Sequence, residues 1–184
     1  MNVERINLYI QDSLISNKIC RFNKQYIYIF MSKISAPISD AQKNNYYSIV
    51  EKAVEIWNKV APVNYLFTDS PVNADVTIIW SKVGIKFEGM CKFKSIVASE
   101  FRSVTIEIGL PNQYSPKKID DNTILHTALH ELGHSLGLGH GICEDDVMFV
   151  PHRKTLLKPS KNDISVLNIL YSNPIGTLYE NLIK

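Results

Sequence analysis

The sequence predicts an α+β domain, on three observations. Short runs of β-branched and aromatic residues are separated by turn residues, as strands are. Two segments repeat apolar residues at helical spacing behind Ser or Asp caps. A further segment, HELGHSLGLGH at residues 130–140, sets two histidines one helical turn apart ahead of a glycine that can end the helix. In chain order, Tyr26 to Ile34 reads as the first strand. Ser39 or Asp40 caps a helix whose Tyr46, Ile49, Val50, Ala53 and Trp57 share one face, and Pro62 closes it. Val63 to Thr68 and Ala74 to Trp80 are strands parted by Asp69, Ser70 and Pro71. Residues 82–99 show no clear period and read as a loop with an edge strand. Val104, Ile106 and Ile108 alternate with Thr105 and Glu107, as a half-buried strand does. A loop with Pro111 and Pro116 leads to Asp121, the expected cap of the histidine-bearing helix. Ser160 caps the last helix, with Ile164, Leu167 and Tyr171 on its inner face.

A chain of 184 residues with 45% apolar and 21% charged content fits one domain with a buried core. The net charge of +2 comes with no basic stripe, which argues against a nucleic-acid partner. No apolar run approaches the roughly 20 residues that span a bilayer, so no membrane partner is expected. The opening MNVERINLYIQDSLISNK mixes polar residues among apolar ones and lacks the core of a signal peptide. As written, the chain is expected in the cytoplasm, or outside the cell if it is a trimmed precursor. Cys20, Cys91 and Cys143 are odd in number and widely spaced, which suits a reduced compartment better than a disulfide framework.

The histidine spacing carries its own chemistry. His130 and His134 lie about 40° apart around a helix with Cβ atoms roughly 5–6 Å apart, so both imidazoles can reach one metal ion. On a continuing helix His140 would stand about 9 Å further along the axis, beyond the 2.0–2.1 Å reach of a zinc–nitrogen bond. The helix must therefore stop, and Gly137 is where a left-handed residue can stop it. Three neutral nitrogens leave a fourth tetrahedral position open, as in a catalytic rather than a structural zinc site. Glu131 points about 100° away from His130 and is placed as a base: it can take a proton from zinc-bound water, whose pKa is lowered to about 7, and pass it to a departing amine. That is peptide hydrolysis without a covalent intermediate.

This pattern, with Met148 eight residues after His140, resembles the metzincin zinc peptidases and most of all the matrixin (M10) branch. Ala74 to Trp80 is similar to that family's third strand and Pro159 to Tyr171 to its last helix, so the resemblance covers about residues 24–172. It implies a metzincin-like α+β fold: a twisted mixed sheet with two long helices, and a small lower subdomain with the Met-turn and the C-terminal helix. It implies a single catalytic domain over residues 21–184, with an upper part 21–137 and a lower part 138–184, behind an N-terminal extension of residues 1–20. It also implies that His130, His134 and His140 bind zinc, that Glu131 is the general base, and that Met148 forms a floor beneath the metal. The expected function is zinc-dependent metalloendopeptidase, a monomer acting on proteins or peptides. The alternative is a non-catalytic zinc-containing module that binds peptides.

The chain departs from the family at several positions. Gly141 stands where matrixins usually have Ser, and Met148, Phe149, Val150, Pro151 is one residue longer than the usual Met-turn wording, which bears on the wall of the specificity pocket. His126 occupies the position that helps set the depth of the primed-side pocket, so His126, Phe149, Val150 and Pro151 are the candidate pocket residues. A medium-sized ring at His126 predicts a preference for medium aliphatic residues just after the cut bond. His126 is not expected to bind zinc, and His152 reads as an exposed loop histidine. No histidine precedes His126, so the structural zinc of vertebrate matrixins cannot be built and one catalytic ion is expected. Calcium is compatible with the chain, but its carbonyl ligands leave no readable trace. Asp163 is either a Met-turn anchor or only a cap partner for Ser160. Residues 1–20 are a surface helix or strand, or a plug that sets Cys20 or Asp12 in the open metal position.

Overall fold

Ile27 and Ile29 are fully buried while Tyr26 and Tyr28 between them are exposed, so β1 (Tyr26–Met31) covers the core with one face and meets solvent with the other. The same alternation buries Val104, Ile106 and Ile108 of β5 (Glu100–Leu110). With β2 (Asn64–Phe67), β3 (Val76–Lys82) and β4 (Gly89–Val97) they form one five-stranded sheet in the order β2-β1-β3-β5-β4. All neighbours are parallel except β4, which runs antiparallel to β5 along the edge and carries register shifts between Phe93 and Ile96. The computed structural model describes residues 3–82, 88–111 and 119–182. Pro116 and residues 83–87 of the segment without a period lie outside that range; the rest of this segment contains β4.

Two helices cover the buried face of the sheet. α2 (Asp40–Asn58) begins at a capping box, in which the Ser39 hydroxyl accepts from the Gln42 N–H and the Gln42 side chain accepts from the Ser39 N–H, each at 3.2 Å. Its stripe Tyr46, Ile49, Val50, Ala53, Val54 and Trp57 is buried as the 3.6-residue period requires. Each large side chain in such a stripe contributes about 1.5–3 kcal/mol. Trp57 also ties α2 to α3 (Asp121–Ser135) by donating its indole N–H to the Leu129 carbonyl at 2.9 Å. The cap of α3 is Asp120 rather than Asp121: its carboxylate accepts from the Thr123 N–H and hydroxyl, bonds that hold it down to about 2. Every residue of α3 from Thr123 to Gly133 is buried, because α2, β4 and β5 and the lower segment all pack on it.

The lower part follows α3 as an irregular segment and then α4 (Lys161–Ser172), capped by Ser160 as expected. Its inner face is Asp163, Val166, Leu167 and Leu170, whereas Ile164 and Tyr171 are half-buried at its margins. The stripe is turned because α4 packs against a partner the sequence left open. α1 (Val3–Ser13) buries Tyr9 and Ile10 and donates the Tyr9 hydroxyl to Asp163 at 2.7 Å. Arg21 completes this clasp by donating to the carbonyls of Leu170, Phe22 and Asn173, which include free acceptors at the end of α4. The structure thus has the mixed sheet, helices and small lower part expected of an α+β metzincin-like domain. Among the described residues no helix is long and apolar enough to cross a membrane.

Candidate metal centre and cleft

α3 delivers its histidines by plain helical spacing. The His130 and His134 rings face one side with centroids 4.7 Å apart. The helix then ends: Leu136 is its C-cap, Gly137 takes φ +99°, and the Leu138 N–H closes back on the Gly133 carbonyl at 3.1 Å. This left-handed turn is the one expected at Gly137, and it brings the His140 ring to 5.0 Å from His134 and 5.7 Å from His130. One ring nitrogen from each of the three lies within 4.8 Å of the others, a group that could hold a metal ion.

The tautomers suit that role. His130 Nδ1 lies 3.0 Å from the Val147 carbonyl and His134 Nδ1 lies 2.8 Å from the Leu138 carbonyl. A carbonyl can only accept, so each Nδ1 carries the hydrogen and each Nε2 keeps its lone pair. Burial keeps both rings neutral, holding His130 well below its usual range and His134 down to about 4. His140 is more exposed and is steadied by Asp12 of α1, whose carboxylate accepts from the His140 N–H at 2.5 Å and stands 3.7 Å from Nδ1. Three imidazole nitrogens suit zinc and other late transition metals, not magnesium or calcium.

Glu131 is 3% exposed and lines a cleft of about 490 Å³ with the three histidines. Burial pushes its carboxyl up to about 8, against a hydrogen bond from the Cys91 backbone that lowers it. A cation at the histidine nitrogens would pull it down again. One wall of the cleft is Gly89, Met90 and Cys91 of the edge strand β4, and the other includes Val150, Pro151 and His152. Gly89 is required here, since a Cβ would run into the Thr127 methyl and the Glu131 side chain.

Met148 is fully buried against Gly133, where a Cβ would collide with the Met148 sulfur. The turn around it is anchored twice. Asp163 Oδ2 accepts from the Val147 N–H at 2.9 Å, and the Val147 carbonyl accepts from His130. The same Asp163 oxygen accepts from the Ser160 N–H at 2.7 Å, so this aspartate holds the turn and caps α4 at once, and is more than the cap partner alone. Gly141 also has a local reason: a Cβ there would stand 2.6 Å from the Asp146 Cβ. Asp146 is fully buried and accepts from Ser160, Asn162 and the Cys143 N–H. Gly141→Ser, although it puts in the residue usual in matrixins, is therefore expected to destabilise the protein by about 1–3 kcal/mol; an unchanged urea midpoint would show that Asp146 yields without cost.

The remaining candidates divide. Val150 and Pro151 line the cleft, while Phe149 sits beside the Arg153 guanidinium, 5.9 Å from it. His126 is 1% exposed, behind the cleft rather than on its surface. His152 is only partly exposed, with its ring 4.3 Å from His130 and 5.1 Å from His126. Nothing local in the sequence signals that approach. Cys20 is buried with its thiol near the Ile15 carbonyl, and Asp12 accepts from the His140 backbone N–H; among the described residues neither joins a metal-competent group.

A family model described as Matrixin, of the M10 peptidases, matches residues 23–172. None of the curated proteins compared matches the chain.

Proposed function

The chain belongs to the matrixin family of metallopeptidases, and on that premise we propose that it is a zinc-dependent endopeptidase whose zinc is held by His130, His134 and His140, with Glu131 as general base. The observation that carries this reading is the convergence of three ring nitrogens within 4.8 Å in the cleft that Glu131 also lines. Zinc bound there supplies Lewis acidity, lowering the pKa of water to about 7 and polarising the scissile carbonyl. Glu131 takes the proton as the water oxygen bonds to the carbonyl carbon, then gives it to the nitrogen as the C–N bond breaks. Its burial suits the proton-holding half of that transfer, because a carboxyl shielded from bulk water keeps the proton it has taken until the nitrogen is ready to receive it. The carbonyls of Val147 and Leu138 hold the imidazoles in the tautomer that offers Nε2. The outer wall, Gly89–Cys91, is edge-strand backbone, which suits an extended protein or peptide substrate.

One ion per chain is the expected metal content. The working unit is residues 21–184 with α1 as an added clasp, a reading supported by the burial of Tyr9 and Ile10. Turnover of a quenched peptide library, abolished by chelator and restored by zinc, tests the assignment. Peptides that bind without being cut would instead make the protein a zinc-bearing binding module.

A further inference from the structure

We propose that His126, His130 and His152 form a second seat for a zinc ion, overlapping the first at His130 and exclusive with it. One nitrogen from each of these three rings lies within 4.8 Å of the others, the same limit that the first group meets. The group joins two segments: His126 and His130 stand one turn apart on α3, and His152 comes from the segment after Met148.

The observation that points to a ligand is His126 Nε2. The Leu156 carbonyl, 2.8 Å from His126 Nδ1, forces the hydrogen onto that atom and leaves the lone pair on Nε2. Nε2 is buried and, among the described residues, has no hydrogen-bond partner, in a side chain only 1% exposed. Buried acceptors are nearly always satisfied, so a lone pair without a donor, beside two further imidazoles, suits a cation. His152 is oriented as ligating histidines commonly are, with Nδ1 3.4 Å from a Glu88 carboxylate oxygen.

Exclusivity follows from His130. Its Nδ1 is committed to the Val147 carbonyl, so a single nitrogen is left for metal. An ion in the second seat takes that nitrogen and leaves His134 and His140 as a pair without their third member. The second seat is therefore a place where the same ion rests without completing the group beside Glu131. Saturation still gives one ion per chain, and loss of His134 or His140, which the second seat does not use, transfers the ion rather than releasing it.

The inference rests on zinc being the metal, as proposed above, but not on peptide cleavage. Its test is a double-mutant cycle on zinc affinity, read by titration against a competing chelator. His152→Ala alone should change affinity by no more than about twofold, because the first seat dominates. His140→Ala should cause a limited loss, since the second seat takes the ion. Combining them should lower affinity by at least about 100-fold beyond the product of the single effects. Additive losses in folded variants would overturn the second seat while leaving the peptidase reading intact. Wild-type protein that binds no zinc would overturn both. If an alanine variant does not fold, the cycle with His140→Phe and His152→Phe keeps the ring volume and reads the same coupling.

Discussion

Glu131→Gln is expected to lower peptide turnover by several orders of magnitude while zinc stays near one ion per chain. The change removes the only proposed proton carrier and leaves the three imidazoles and their carbonyl partners in place. Near wild-type turnover in the variant would mean that another group carries the proton. The same substitution should stabilise the protein when zinc is withheld by a chelator. Burial raises the folded-state pKa of Glu131 from 4.5 to about 8. The folded state then binds the proton more tightly than the unfolded state, so this group's contribution to stability falls as pH rises through that window. Gln titrates nowhere in it. Above pH 8, in chelator, the variant should exceed wild type by a few kcal/mol, with the gap closing toward pH 4.5. His134, held neutral down to about 4 from 6.5, acts in the opposite sense: its contribution is lost as pH falls from 6.5 toward 4. Both variants share that loss, so it cancels in the comparison. Parallel stability curves for wild type and Gln across this range would show that Glu131 is not strained by its burial.

Asp163→Ala should be the most damaging single change outside the cleft. Its carboxylate accepts from the Val147 N–H, the Ser160 N–H and the Tyr9 hydroxyl. Alanine leaves these donors without an acceptor in a buried setting, at a cost of about 3–5 kcal/mol. For a chain of this size that is a drop of roughly 6–20 °C in Tm. Zinc affinity should fall with it, by about 10–100-fold, because Val147 also holds the His130 ring. Asp163→Asn should recover most of the stability: its carbonyl oxygen can keep both backbone bonds, and the Tyr9 hydroxyl can turn to accept from the amide. An alanine variant that melts with wild type would mean that water replaces the carboxylate without penalty.

The parts of the fold legible in the sequence are those whose signal is periodic. The apolar stripe from Tyr46 to Trp57 and the alternation of Val104, Ile106 and Ile108 each determine a buried face locally, and both faces are buried as read. β4 was harder to read: its outer edge lines the cleft and most of its residues are only partly buried, which blurs the two-residue period. The turned face of α4 was illegible for a different reason. Which side of a short helix is covered depends on what covers it, and here that is α1, from the opposite end of the chain.

The sequence alone determined the one-turn spacing of His130 and His134, the place of Glu131 beside them and the glycine stop, because each depends on residues within about one or two helical turns, where backbone geometry fixes direction. Tertiary structure decided everything that depends on a contact between distant segments. The hydrogen-bearing nitrogen of His130 depends on Val147, 17 positions away. Asp12 lies 128 positions from the His140 N–H that it steadies. His152 stands beside His126 and His130 although no spacing relates them. A ring's reach is set by its helix, but its tautomer, burial and neighbours are set by whichever chain segment packs against it, and that is a property of the whole fold.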